Sequence, residues 1–207
     1  HLCDRRQRQM CIRDSLKPAL VYVVVTVVLL FVFLLVAYPL VVALGAKQNP
    51  ITFIKKIANV AVFGFSTSSS AATLPLNIRV STEDFGVDES IASFVLPLGM
   101  TINMDGTAIY QCVATVFLAT CAGMQLTLSQ MILIVVTATL ASIGTAGTPG
   151  AGMIMLAMVL EAIGIPVAYI GLIVAVDRLF DMGRTCLNVT GDIACSLCVT
   201  KWESKKK

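Results

Sequence analysis

The sequence predicts an all-α membrane protein built around two re-entrant helical hairpins. Three observations carry that prediction. The chain of 207 residues is 57% hydrophobic and 13% charged, with a mean hydropathy of +0.88, whereas a soluble domain carries about a quarter charged residues. Residues 19–45, ALVYVVVTVVLLFVFLLVAYPLVVALG, form one uninterrupted apolar run, longer than the ~20 residues that cross a hydrocarbon core. Twice along the chain, an apolar segment breaks at a tip of Ser, Thr, Gly and Ala, resumes, and is followed by a long helix with acids near its centre.

The first fifteen residues, HLCDRRQRQMCIRDS, are polar and basic, with neither an initiating Met nor the apolar core of a signal peptide. They are expected to be non-native or disordered, since they resemble translated sequencing-adapter read-through. The remainder, 16–203, is then expected to be a fragment of a longer chain. Its first span, 19–45, closes at AKQNP. Residues 51–80 form the first hairpin, with Lys55 and Lys56 near its start and the tip in STSSSAATLP. Irregular backbone at membrane depth is tolerated only inside protein or around a watery cavity. STEDFGVDES is an acidic turn, and a long helix covers 88–121, interrupted at NMDGT. Gly106 weakens the helix there, while Asn103 and Asp105 supply oxygens. Residues 126–164 form the second hairpin around GTAGTPGAG, a tip without the Lys of a P-loop. Pro166 opens the last helix, 166–200. Paired interrupted segments in two halves point to an inverted-repeat secondary transporter with a site near the bilayer midplane. Two ordinary spans joined by a Gly-rich turn are the plainer alternative, which length alone permits.

Charge sets the orientation. No Lys or Arg stands between Val80 and Val176, and the chain ends KWESKKK. The positive-inside rule places the basic tail, 204–207, in the cytoplasm of a multi-pass protein of the cell (inner) membrane. The second hairpin then enters from outside. The first, bracketed by Lys55, Lys56 and Arg79, enters from the cytoplasm.

The single His is His1, so His-based catalysis and His-ligated metal sites have nothing to work with. Of seven Cys, Cys195 and Cys198 form a CxxC, but no second pair completes a zinc set. The cysteines are expected to pack as small apolar residues. A membrane enzyme is disfavoured, because Ser69 and Ser70 have no His partner and no Lys near in sequence.

The chemistry concentrates in acids. A carboxylate at the depth of Asp105 costs at least ~2.5–3.5 kcal/mol on insertion scales. In DRLFDMGRTCLNVTGD, the residues Asp177, Asp181, Arg184, Thr185, Asn188 and Asp192 fall within an arc of roughly 100° at helical spacing. Asp181 and Arg184, three apart, are placed to neutralise each other. Asp105 and Asp192 are left without a cation in the sequence, and a bound cation from solution supplies one. Oxygen-rich sites suit hard cations such as Na⁺.

TSSSAATLP, NMDGTAIYQ, ASIGTAGTPGAG and DMGRTCLNVTGD, in this order, resemble the four signature segments of the glutamate/aspartate transporter family, the dicarboxylate/amino acid:cation symporters. The resemblance runs from about residue 17 to 203. It implies the C-terminal part of a trimeric, elevator-type symporter roughly twice this length, lacking the scaffold half and one transport-domain helix. It gives Asp181 to the substrate α-amino group, Arg184 to the side-chain carboxylate, and Ser69 and Ser70 to the α-carboxylate. Thr107, Thr185 and Asn188 add hydrogen bonds, and Thr148 sits in the second hairpin, which acts as a lid. For cations it implies Asp192 with main-chain carbonyls of Gly99, Asn103 and Asn188. A second set is the main-chain oxygens of Thr101, Ser142, Ile143 and Thr145. A third set is Asn103 with Asp105, completed by the absent helix. Na⁺ is the expected coupling ion, with H⁺ the alternative, and no other cofactor and no nucleic acid is implied. Relatives carry an extra Arg where this chain has Ser68 or Met182, and relatives that move protons and potassium carry Glu where it has Gln111. The expected substrate is an acidic amino acid. A C4-dicarboxylate or neutral amino-acid symporter of the same fold, and a channel, are the other readings.

Overall fold

The computed structural model describes residues 18–205. The expected foreign segment 1–15 and the last two residues of the basic tail lie outside the described residues. Among the described residues every regular element is helical.

Helix α1, Pro18–Ala46, is the one helix among the described residues that is long and apolar enough to cross a membrane. Side chains such as Leu20 and Leu44 are exposed along it, whereas Tyr38 and Val42 are buried. It carries two π-helical turns, Phe33–Ala37 and Val42–Ala46, and ends at Lys47 in the left-handed region. Helix α2, Pro50–Thr67, begins where Asn49 accepts a hydrogen bond from the Ile51 amide and Pro50 fills the first helical position, where a missing N–H costs nothing. Ser68, at φ 52°, ends α2. Ser69 then caps α3, Ser70–Arg79, by accepting from the Ala72 amide. The two-residue reversal therefore follows from capping chemistry.

The interrupted helix resolves into α4, Glu89–Ile102, and α5, Asp105–Cys121. The break falls at Asn103 and Met104, the first two residues of the expected interruption NMDGT. Gly106 lies inside α5, where a Cβ would meet the Arg184 and Asn188 of the last helix at about 3 Å. Its value is close approach. The second hairpin is α6, Leu128–Ile143, opened by a Thr127/Gln130 capping box, and α7, Ala151–Ala162, opened by Gly150 at φ 80°. The last helix also differs from expectation. Pro166 leads into a 3₁₀ turn, Val167–Leu172, and the α-helix α8 begins only at Val174 and runs to Glu203.

Helix α8 is the axis of the molecule. Its 30 residues span ~45 Å, and α2, α4, α5 and the end of α1 pack against it. Asp177, Asp181, Arg184, Thr185, Asn188 and Asp192 are all buried, as a polar face turned into a bundle requires. One apolar cluster (Val42, Phe53, Ile57, Leu96, Leu187, Ile193) joins α1, α2 and α4 to the C-terminal half of α8. Another (Tyr110, Leu118, Ile134, Leu156, Ile173, Phe180) joins α5 and the second hairpin to its N-terminal half. The polar site lies between them. Of the described cysteines, all free, Cys186 is buried as expected, but Cys121 and Cys195 are exposed and do not pack as apolar filler.

Candidate functional site

The two hairpin tips meet over the middle of α8. Ser69 Oγ and the Ala71 amide both donate to the Gly147 carbonyl, at 2.9 and 3.2 Å. A Cβ at Gly147 would lie 3.3 Å from Ser70, Ala71 and Met100, slightly closer than ordinary contact. Beneath this seam is a cavity of about 20 Å³ lined by Ser68, Ser70, Thr107, Thr145, Thr148, Asp181, Arg184, Thr185 and Asn188, among others. That volume accommodates about one water.

Arg184 forms its floor, 1% exposed. Nη2 donates to Asp181 Oδ1 at 2.8 Å and lies 3.5 Å from Asp177 Oδ1, an ion-pair distance without a hydrogen bond. The guanidinium carbon sits 4.0 Å from the centre of the Tyr110 ring. Nη1 has no partner, and neither does the buried Ser68 Oγ that lines the same cavity. The other Asp181 oxygen accepts from the Gly150 amide at 3.0 Å, and the exposed Arg178 approaches it to 3.8 Å. The second hairpin is thus fastened to α8 through Asp181.

A second polar group lies further along α8. Asn103, in the break between α4 and α5, donates from Nδ2 to Asp192 Oδ1 at 3.0 Å and to the Asn188 carbonyl at 3.2 Å. A neutral donor therefore stands between an anion and a carbonyl oxygen. Gly99 backs directly onto this carboxylate, for a Cβ would lie 2.6 Å from Asp192 Oδ1. Asp105 receives the Tyr38 hydroxyl on Oδ2 at 2.9 Å. Neither Asp105 nor Asp192 forms an ion pair with a described cation, and among the described residues no three His, Cys, Asp or Glu cluster as a metal site.

The structure brings together most of the residues the sequence singled out. Of the substrate set, Ser70, Thr107, Thr148, Asp181, Arg184, Thr185 and Asn188 line the cavity, whereas Ser69 is spent on the cap and the seam. Ser68 lines it instead. Gly99, Asn103, Asn188 and Asp192 form one group. Of the main-chain set Thr101, Ser142, Ile143 and Thr145, Thr101 is an exposed residue of α4 and Thr145 lines the cavity beneath the tips. Both the Gly144 and Thr145 amides already donate to the Ser142 carbonyl. Ser142 and Ile143 instead share a larger groove with Asp105. Sequence reasoning missed Tyr38 and Gly152, whose Cα abuts Arg184. A lone Tyr beside Pro39 in an otherwise aliphatic stretch was the available signal for the first. Nothing distinguished Gly152 from the other tip glycines.

The sequence pattern of the sodium:dicarboxylate symporter family matches residues 12–202. The chain belongs to the sodium:dicarboxylate symporter family. An excitatory amino acid transporter of Caenorhabditis elegans is 42% identical over 179 residues, 86% of this chain and 36% of that protein. A putative sodium-dependent excitatory amino acid transporter of the same organism is 46% identical over 171 residues, 83% of this chain and 34% of that protein. A neutral amino acid transporter B(0) of Rattus norvegicus is 48% identical over 158 residues, 76% of this chain and 28% of that protein. The chain spans about a third of the length of these relatives. Membership in a symporter family makes this a membrane protein, in keeping with α1.

Proposed function

We propose that the full protein carries an acidic amino acid, glutamate or aspartate, across the membrane together with a cation, Na⁺ by preference. The observation that carries this reading is the cavity where the hairpin tips meet. A buried guanidinium there keeps one nitrogen without a partner, and Ser68 Oγ is likewise free. An unpaired buried donor costs ~1–3 kcal/mol, more when charged, and an incoming carboxylate would satisfy it. The planar fork of Arg suits that task better than the point charge of Lys. Ser68 and Ser70, with the tip amides, would receive the α-carboxylate, and Thr107, Thr185 and Asn188 would complete the hydrogen bonding.

A site with room for one water does not hold an amino acid, so the second hairpin must lift to admit it. Lifting withdraws the Gly150 amide from Asp181 and frees Oδ2 for the substrate ammonium. Asp192, Asn103, Gly99 and Asn188 would form one cation site, with the Asn103 amide turning away to release Asp192. Asp105 would hold another with a segment outside this chain. The main-chain oxygens of Thr101, Ser142, Ile143 and Thr145 would form a third. We read the helical hairpins as re-entrant, the block around α8 as the body that moves in an elevator, and the C-terminus as cytoplasmic. The homotrimer would be built by the rest of the protein. The role proposed is transport and not catalysis, because the family is one of symporters.

A C4-dicarboxylate symporter is the second reading. What favours it is that in the closed site both Asp181 oxygens are already hydrogen-bonded within the chain, so neither is held open for an ammonium. Competition uptake separates the two. The full-length protein in liposomes under an inward Na⁺ gradient should accumulate labelled aspartate. Unlabelled aspartate or glutamate should compete at least about tenfold better than succinate or serine, a difference of ~1.4 kcal/mol. Succinate competing equally would remove Asp181 from the ammonium, and uptake that does not saturate would favour a channel.

A further inference from the structure

The hydroxyl of Tyr38 ends inside the group of residues read above as cation ligands. It donates to Asp105 Oδ2 at 2.9 Å, across 67 positions of sequence. Tyr38 is 6% exposed, in a helix whose neighbouring Leu40 and Leu44 are open. The helix is not regular around it. One π-helical turn ends at Ala37 and another begins at Val42, and such insertions are concentrated at functional sites. Opposite, α8 is notched for the phenol. A Cβ on Gly191 would collide with Tyr38 Oη and with Asn103 Nδ2. The same Asn103 amide holds Asp192. The hydroxyl therefore sits on Asp105 and close to the Asn103 amide that binds Asp192, where this part of α1 meets the polar interior of the fold.

We propose that Tyr38 is a positioning residue for the cation site at Asp105, its hydroxyl fixing the carboxylate by one oxygen and leaving the other for the ion. This inference rests on the reading of Asp105 as a cation ligand. A ring that merely filled space would need no hydroxyl. A carboxylate left to rotate would lose the geometry a small hard cation requires, since ligand positions matter to within about 0.2 Å. Asp105 also borders a groove with Phe33, Thr139, Ser142 and Ile143, from which an ion could reach it.

The test uses purified full-length protein and Na⁺ alone, read as the Na⁺-dependent rise in melting temperature, which reports binding without transport. Tyr38→Phe removes only the hydroxyl. The Na⁺ concentration giving a half-maximal rise should increase about fivefold or more, with full stabilisation recovered at high Na⁺. Asp105→Asn should weaken the Na⁺ response further, and adding Tyr38→Phe to it should have no additional effect. An unchanged or lower half-maximal concentration in Tyr38→Phe overturns the proposal, as does additivity in the double variant. If Asp105→Asn itself leaves the response intact, the assignment of Asp105 to a cation fails and this inference falls with it. If Asp105→Asn responds and Tyr38→Phe does not, only the role of Tyr38 is lost.

Discussion

Gly152→Ala tests, at a single atom, the contact between the second hairpin and Arg184, the residues proposed to act as lid and substrate ligand. The new Cβ would stand 2.6 Å from Arg184 Nη1, 3.1 Å from Cζ and 3.3 Å from a Thr107 methyl. Reaching an ordinary contact of 3.4 Å requires the guanidinium or the hairpin to retreat by about 0.8 Å. Arg184 has little freedom to do so, because Asp181 holds Nη2 at 2.8 Å and the Tyr110 ring lies 4.0 Å away. Loss of the hydrogen bond to Asp181 costs ~1.5–3 kcal/mol, the range for bonds to charged groups. If instead the hairpin moves, the Gly150 bond to Asp181 is lost with it. Either way, aspartate affinity should fall at least about tenfold, by calorimetry on full-length protein in saturating Na⁺. Gly144→Ala is the control in the same tip, since its Cβ would meet a Met155 methyl at 3.6 Å and the Ala141 carbonyl oxygen at 3.8 Å, both ordinary contacts. It should change affinity by less than about twofold, as surface-like substitutions within ±0.5 kcal/mol do. Gly152→Ala with wild-type affinity, in protein that melts normally, would refute the packing of lid on guanidinium.

Other outcomes follow from the same geometry. Asp192→Asn should lower the Na⁺ dependence of aspartate binding while the protein still folds, because the amide keeps the shape and the bond to Asn103; equal Na⁺ titrations would remove Asp192 from the cation sites. A Cys at exposed Thr148, in a Cys-free full-length background, should be labelled more slowly when aspartate and Na⁺ hold the tip down, and equal rates would mean a static turn. Arg184→Cys should depress aspartate uptake by tenfold or more and shift preference toward neutral amino acids such as serine, since truncating one partner of a buried charged contact costs ~2–5 kcal/mol. Retained aspartate preference would remove Arg184 from the substrate carboxylate.

The fold was legible because membrane depth makes punctuation expensive. Interruptions at Ser68, Asn103 and Gly144–Gly150 stand out against apolar surroundings, so the order of the helices followed from apolar runs and breakers. Details at one-residue scale were not. Which serine of the run 68–70 faces the cavity depends on the left-handed φ of Ser68, which moves the capping role to Ser69. The start of α8 slipped to Val174 because Pro166 begins a 3₁₀ turn rather than a helix. At the site, residues sharing a face of α8 were predictable from 3.6-residue periodicity. The Tyr38–Asp105 contact was not, since it depends on two π-helical turns and on the notch at Gly191.

Asp181 shows why one carboxylate can serve both selectivity and closure. Its two oxygens face different parts of the molecule, Oδ1 the buried guanidinium and Oδ2 the hairpin amide. The bond to Arg184 is internal to α8 and survives any movement of the hairpin. The bond to Gly150 does not, because its donor rides on the lid. Lifting the lid in the absence of substrate exchanges that bond for water, at little cost. Closing it over a bound substrate is where the cost arises, because a substrate that keeps the Gly150 amide away shuts in an anionic oxygen without a donor, and a buried unpaired charged group is expensive. A substrate ammonium that replaces the Gly150 amide removes that cost, and a substrate without one leaves it standing. Discrimination would then be exercised at closure, and the penalty for succinate should appear in its affinity and its dissociation rate rather than in its association rate.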